Sequence, residues 1–101
     1  MLDIRKESNG SNLRVALTGR LDTTTAPQLE GELRTATEGV TELVFDLSKL
    51  EYVSSAGLRV LLSAQKVMNK QGNMIIRGAN EEIMEIFDVT GFSDILNIEG
   101  A

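Results

Sequence analysis

Cysteine and histidine are both absent from the 101 residues. Without cysteine there is no disulfide, no thiolate metal site and no thiol nucleophile. Without histidine the chain lacks the side chain that ordinarily moves protons near neutral pH. Long apolar runs are missing as well, since none approaches the roughly 20 residues that a membrane-spanning helix needs. The opening Met1-Leu2-Asp3-Ile4-Arg5-Lys6-Glu7 alternates charges instead of leading into an apolar stretch. A secretory signal is therefore not expected, and a cytoplasmic location is. Neither a Walker-type phosphate loop nor a Gly-x-Gly-x-x-Gly pattern occurs. The only carboxylate pair worth naming for acid–base work is Asp22 with Asp46, and it is weak. A non-enzymatic role without metal or cofactor is the expectation.

What remains is ordinary for a folded domain: 42% of residues are hydrophobic and 25% are charged. The length suits one domain, residues 1–101, with a single modest core and no linker, repeat or low-complexity tract. A formal charge of −5 argues against nucleic acid or an anionic membrane surface as partner and suits a basic protein surface.

Along the chain, Leu2-Asp3-Ile4-Arg5 and Leu13-Arg14-Val15-Ala16-Leu17-Thr18 alternate apolar and polar residues, as half-buried strands do. The turn-forming Ser8-Asn9-Gly10-Ser11-Asn12 between them makes a hairpin. Thr25-Ala26-Pro27-Gln28 has capping-box spacing with proline in the first turn, and Leu29, Leu33 and Ala36 follow at helical spacing until Gly39. Leu43 to Leu47 reads as a strand covered on both faces. A second helix is predicted from Ser55 to Gln71, ending at Gly72. Its apolar stripe takes in Leu58, Leu61, Leu62 and Met68, widened by Val60, Ala64 and Val67. Met74-Ile75-Ile76 is the next strand. Asn80 then caps a third helix with Glu81 and Glu82 in its first turn, Ile83, Ile86 and Phe87 inward, and Gly91 at its end. Ile95 to Ile98 fits a last strand or a short helix. The four methionines read as core filler. This order predicts an α/β domain: a mixed sheet of four to five strands, an antiparallel N-terminal hairpin, then helices alternating with parallel strands.

One stretch carries chemistry. Ser54-Ser55-Ala56-Gly57-Leu58 opens the second helix directly after a strand. A hydroxyl there sits among unpaired backbone N–H groups at the positive end of the helix dipole, an environment that suits a phosphate. Ser55 fits either a helix cap or a phosphorylation site, and Ser54 a cap or loop hydroxyl. Gly57 fits close packing or room for a partner to approach. Asp22, Thr23 and Thr24 lie between a strand and a helix, where α/β domains often bind ligands; local turn bonding is the alternative. Arg59 is a solvated charge or an ion-pair donor to a partner. Asp46, at the end of its strand, either holds the Ser54–Leu58 loop through backbone N–H groups or is exposed. Glu81, Glu82 and Glu85 form a solvated face.

The stretch Asp46-Leu47-Ser48-Lys49-Leu50-Glu51-Tyr52-Val53-Ser54-Ser55-Ala56-Gly57-Leu58-Arg59-Val60-Leu61-Leu62 closely resembles the bacterial anti-sigma factor antagonists of the STAS family. Leu17-Thr18-Gly19-Arg20-Leu21-Asp22 is similar to that family's Gly-x-Leu-Asp element. The resemblance implies a single STAS domain whose Ser55 is phosphorylated by an anti-sigma factor that is also a serine kinase. The unphosphorylated form then binds that factor, the phosphorylated form lets go, and a serine phosphatase resets it. Where the best-known members have aspartate this chain has Ser54, which leaves Ser54 as a second or mistaken target ranked behind Ser55. The docking surface so implied comprises Asp22, Thr23, Thr24, Ser54, Ser55, Ala56, Gly57, Leu58 and Arg59, on a domain that is a monomer when free. The family also includes regulatory domains of membrane transporters, and a nucleotide sensor using the Asp22–Thr24 loop is a further alternative. Neither nucleic-acid binding nor membrane insertion is implied.

Overall fold

The computed structural model describes residues 1–99; Gly100 and Ala101, the last two residues of the expected domain, lie outside the described residues. Strands β1 (Leu2–Asn9) and β2 (Asn12–Leu21) form the expected hairpin, with Gly10 at φ 64° in its two-residue turn. Helix α1 (Ala26–Ala36), strand β3 (Glu42–Val53), helix α2 (Ser55–Gln71), strand β4 (Asn73–Arg77) and helix α3 (Glu81–Thr90) follow. The four strands lie in the order β1-β2-β3-β4, antiparallel in the first pair and parallel in the next two. A short 3₁₀ turn, Phe92–Asp94, follows α3.

One contiguous core takes Leu13, Val15, Leu17 and Leu21 from β2, and Leu43, Phe45, Leu47, Leu50 and Val53 from β3. Helices close it with Leu29 and Leu33 (α1), Leu58, Leu61 and Met68 (α2), and Ile83 and Phe87 (α3). The opposite face of the sheet is open: Arg14 and Thr18 are exposed there, and Val44, Asp46 and Ile75 are half-buried. The expectation that Leu43–Leu47 is covered on both faces is therefore corrected. Its burial alternates, because the helices share one core on one side.

That strand also runs six residues beyond Leu47. Between the pairs Ala16↔Asp46 and Thr18↔Lys49, and again between Gly19↔Leu50 and Arg20↔Tyr52, β3 carries one residue more than β2. Each extra residue is a bulge that resets which side chains face inward. Buried Leu47, Leu50 and Val53 consequently recur every third residue, a spacing that period-two alternation does not reveal. The bulges carry the strand to Val53, which pairs with Leu21, so the two strands end side by side.

Four local expectations fail. Thr25 makes no side-chain cap bond, so the Thr25–Gln28 box does not form. Its hydroxyl is buried, donating to the Arg20 carbonyl (2.9 Å) and accepting from the Asp22 N–H (2.8 Å). In the α2 stripe, Leu62 is only half-buried and Val67 is 43% exposed, while the polar Gln65 is buried. Met68 and Met74 are core residues and Met84 is half-buried, but Met1 is fully exposed. Ile95–Ile98 resolves into neither element: Ile98 makes a single parallel bridge to Ile76 on β4. The Asn80 cap holds, its Oδ1 accepting from the Ile83 N–H at 2.8 Å, and Gly91 closes α3 at φ 81°.

Candidate functional site

Two loops leave the sheet together at the ends of β2 and β3. The Ser54 N–H donates to the Leu21 carbonyl at 2.8 Å, extending the β2–β3 ladder by one bond into the start of α2. Asp22–Thr25 continues from one strand and Ser54–Leu58 from the other, so these two predicted segments are brought together.

Ser54 is the cap of α2. Its backbone is extended (φ −94°, ψ 174°), its Oγ accepts from the Gly57 N–H at 3.3 Å, and its carbonyl accepts from the Leu58 N–H at 2.9 Å. Capping therefore falls to Ser54 and not to Ser55. Ser55 is the first helical residue, it is exposed, and its hydroxyl makes no hydrogen bond among the described residues. The Ser55 and Ala56 N–H groups likewise have no carbonyl partner among them. No acidic side chain lies in the first turn of α2, in contrast to Glu81 and Glu82 in α3. An anion at Ser55 thus meets free donors and an uncompensated helix dipole. Arg59, also exposed, stands four residues on, which puts it on the same helix face one turn away.

Gly57 and Leu58 do not face solvent. Gly57 is buried, and a Cβ placed there lies 2.6 Å from Leu21 Cγ and 2.9 Å from Val53 Cγ2. Of the two roles considered for this glycine, close packing is the one realised. It lets the first turn of α2 settle onto the strand ends. Leu58 is 3% exposed and belongs to the core. The solvent-facing part of the expected surface reduces to Thr23, Thr24, Ser55 and Arg59, with Asp22, Ser54 and Ala56 half-buried. Gly57→Ala sets an overpacking cost of about 1–3 kcal/mol against a helix gain of about 1 kcal/mol. The expected outcome in urea denaturation is a net loss of about 1 kcal/mol; a more stable protein contradicts the tight contact.

The Asp22 loop is locked on itself. Asp22 Oδ1 accepts from the Thr24 N–H (3.0 Å), the Thr24 hydroxyl (2.7 Å) and the Thr25 N–H (3.1 Å). The Thr24 hydroxyl chiefly, with the Thr25 and Thr24 N–H groups, holds this carboxyl below its ordinary range against some desolvation. The turn reading is the realised one, and Thr23 alone is left free of the network among the described residues. A folded pKa below the unfolded one means the interaction is present above the ordinary aspartate value and is lost as pH falls through the folded value. The Thr24 and Thr25 amide resonances are therefore expected to titrate together, with a midpoint below about 3.9. A midpoint at or above that value contradicts the lock.

Asp46 is corrected in place and in role. It lies within β3, not at its end, on the open face. Its carboxylate accepts from the Ser48 N–H at 3.0 Å across the first bulge and pairs with Arg14. The Ser48 donors first, and Arg14 after them, hold its carboxyl below the ordinary range. It braces the bulge and does not hold the Ser54–Leu58 loop. Asp22 and Asp46 are each committed to separate local networks.

A STAS domain model matches residues 3–100, and the chain belongs to the STAS domain family. Among its relatives, the Bordetella bronchiseptica protein BtrV is 36% identical over 88 residues, spanning 85% of this chain and 76% of that protein. The anti-sigma-B factor antagonist of Listeria monocytogenes is 31% identical over 101 residues, spanning 94% of this chain and 88% of that one. Among solved structures, the anti-sigma factor antagonist SpoIIAA in its unphosphorylated form aligns with a TM-score of 0.77 at 18% identity, covering 98% of this chain and 89% of its own. Bacillus SpoIIAA in the phosphorylated form gives 0.75 at 18% identity, covering 97% and 92%. No helix among the described residues is long and apolar enough to cross a membrane.

Proposed function

We propose that this chain is an anti-sigma factor antagonist that works by partner exchange, with Ser55 as its switch. Unphosphorylated, it binds an anti-sigma factor with serine kinase activity and so frees a sigma factor. Phosphorylated at Ser55, it lets go, and a serine phosphatase restores it. The observation that carries this reading is the division of labour between the two serines. Ser54 is spent on capping α2, while the neighbouring Ser55 hydroxyl is exposed and uncommitted beside two free N–H groups.

The charge change acts on the interface and not on the fold. Phosphoserine adds about −1.5 to −2 charges and three acceptor oxygens. Free donors, the helix dipole and Arg59 accommodate that charge locally. Covering the same dianion with a partner strips its water, and an unpaired buried charge costs several kcal/mol. Incubation with the anti-sigma factor of the same genome and ATP, followed by peptide mass spectrometry, tests the assignment. One phosphate on Ser55 supports it; modification confined to Ser54, or none, overturns it.

A further inference from the structure

The apolar surface left uncovered on α3 faces the end of β3, the strand that leads into α2. Val89 is 79% exposed, and with half-buried Ile86 and Tyr52 it floors a shallow groove of about 370 Å³ between α3 and the end of β3. Glu82 and Glu85 line the same groove, and neither forms an ion pair among the described residues. All the charges on α3 are acidic, Glu81, Glu82, Glu85 and Asp88, with no base to offset them. Tyr52 is fixed from its other neighbour: Arg20, its partner across the β2–β3 ladder, lays its guanidinium 4.6 Å from the ring centroid. Tyr52 lies two residues before Ser54 and Arg20 two before Asp22, so the groove adjoins the roots of both site loops.

We propose that the Tyr52–Ile86–Val89 groove is a second docking surface, which takes an apolar side chain of the anti-sigma partner flanked by Lys or Arg. This rests on the reading of the chain as a ligand of an anti-sigma factor. Apolar floor and unpaired acidic rim together define the complement: a cationic segment with an apolar tip satisfies both. A second copy of this chain does not, because it brings the same acids against Glu82 and Glu85. The groove adds affinity that does not depend on the state of Ser55, whereas the phosphate sets whether the neighbouring surface can close.

The test is a titration of the purified anti-sigma factor of the same genome, at two salt concentrations, against the wild type and three variants. These are Val89→Gln, the double variant Glu82→Lys/Glu85→Lys, and Ser55→Asp, each also run alone in sedimentation. Both α3 substitutions lie at exposed positions and leave the thermal midpoint as a check on folding. The expected result is at least a ten-fold loss of affinity for Val89→Gln. A larger loss is expected for the charge reversal, together with loss of the weakening by salt. Affinities within two-fold of wild type for both α3 variants, while Ser55→Asp fails to bind, overturn the groove and leave the Ser55 switch intact. Loss in the α3 variants with Ser55→Asp binding normally supports the groove and removes the switch. A wild type that does not bind the factor overturns both. Conversion of a dimer to a monomer by Val89→Gln also overturns the groove, since it is then a self-contact.

Discussion

Ser55→Asp is expected to lower affinity for the anti-sigma factor by more than about 100-fold, while Ser55→Ala binds constitutively and cannot be released by ATP. The magnitude follows from the cost of leaving a buried charge unpaired, about 3–5 kcal/mol, with each 1.4 kcal/mol a factor of ten. The fold should be indifferent. Ser55 is exposed and its hydroxyl is not needed as a cap, because Ser54 already accepts from the Gly57 N–H. An acid at the first position of α2 also meets the positive end of the dipole, worth about 0.3–1 kcal/mol in favour of folding. Calorimetric titration and a thermal melt on the same sample separate the two effects. Ser54→Ala is the internal control: it removes the cap and should cost about 1 kcal/mol of stability without blocking phosphorylation. Equal affinities for Ser55→Ala and Ser55→Asp would remove the switch.

The largest stability effect at a single surface position is expected at Gly72. A Cβ there falls 1.9 Å from the Thr41 carbonyl oxygen and 2.6 Å from its carbon. Unlike the contact at Gly57, which meets the side chains of Leu21 and Val53, this one meets backbone. That backbone is committed: the Thr41 carbonyl accepts from the Asn73 N–H at 2.8 Å, and the Gly72 N–H donates to the Met68 carbonyl at 2.7 Å. Relief requires moving the α2–β4 turn away from the start of β3. Gly72→Ala should therefore cost about 3 kcal/mol, at the upper end for overpacking. Each kcal/mol lowers the melting temperature of a domain this size by about 4–8 °C. Gly31→Ala is the contrast, since nothing lies within 4 Å of a Cβ in its exposed position on α1. It should gain about 0.5–1 kcal/mol from helix propensity. Similar melting temperatures for the two variants contradict the close approach at Gly72.

Much of the fold was legible because its signals are local. The hairpin, the bounds of α2, the Asn80 cap and the left-handed Gly91 each follow from residues within one turn of each other. The second half of β3 was not legible, since two bulges convert alternation into Leu47, Leu50 and Val53 at spacing three. Likewise Thr25 has the composition of a cap, but burial turns its hydroxyl toward the Arg20 carbonyl, and no window of sequence reports that tertiary choice. The serine pair shows the same limit at the site. Both are good capping residues, and only the extended backbone at Ser54 and its bond to Leu21 decide which one caps. Gly57 was readable as a special position, whereas the identity of what it touches, Leu21 and Val53, needed the β2–β3 register. The groove at Val89 left no sequence signal either: Ile86 reads as inward, and Tyr52 falls in the stretch of β3 where the period is broken.

One sample tests the central claim most directly: the chain phosphorylated to completion by the anti-sigma kinase proposed as its partner, then purified. Its amide spectrum and melting temperature should match those of the unmodified chain outside the first turn of α2 and the Asp22–Thr25 loop, while its affinity for the same factor falls by more than about 100-fold. Undiminished affinity, or a lost affinity accompanied by unfolding, would contradict a switch that acts on the interface alone.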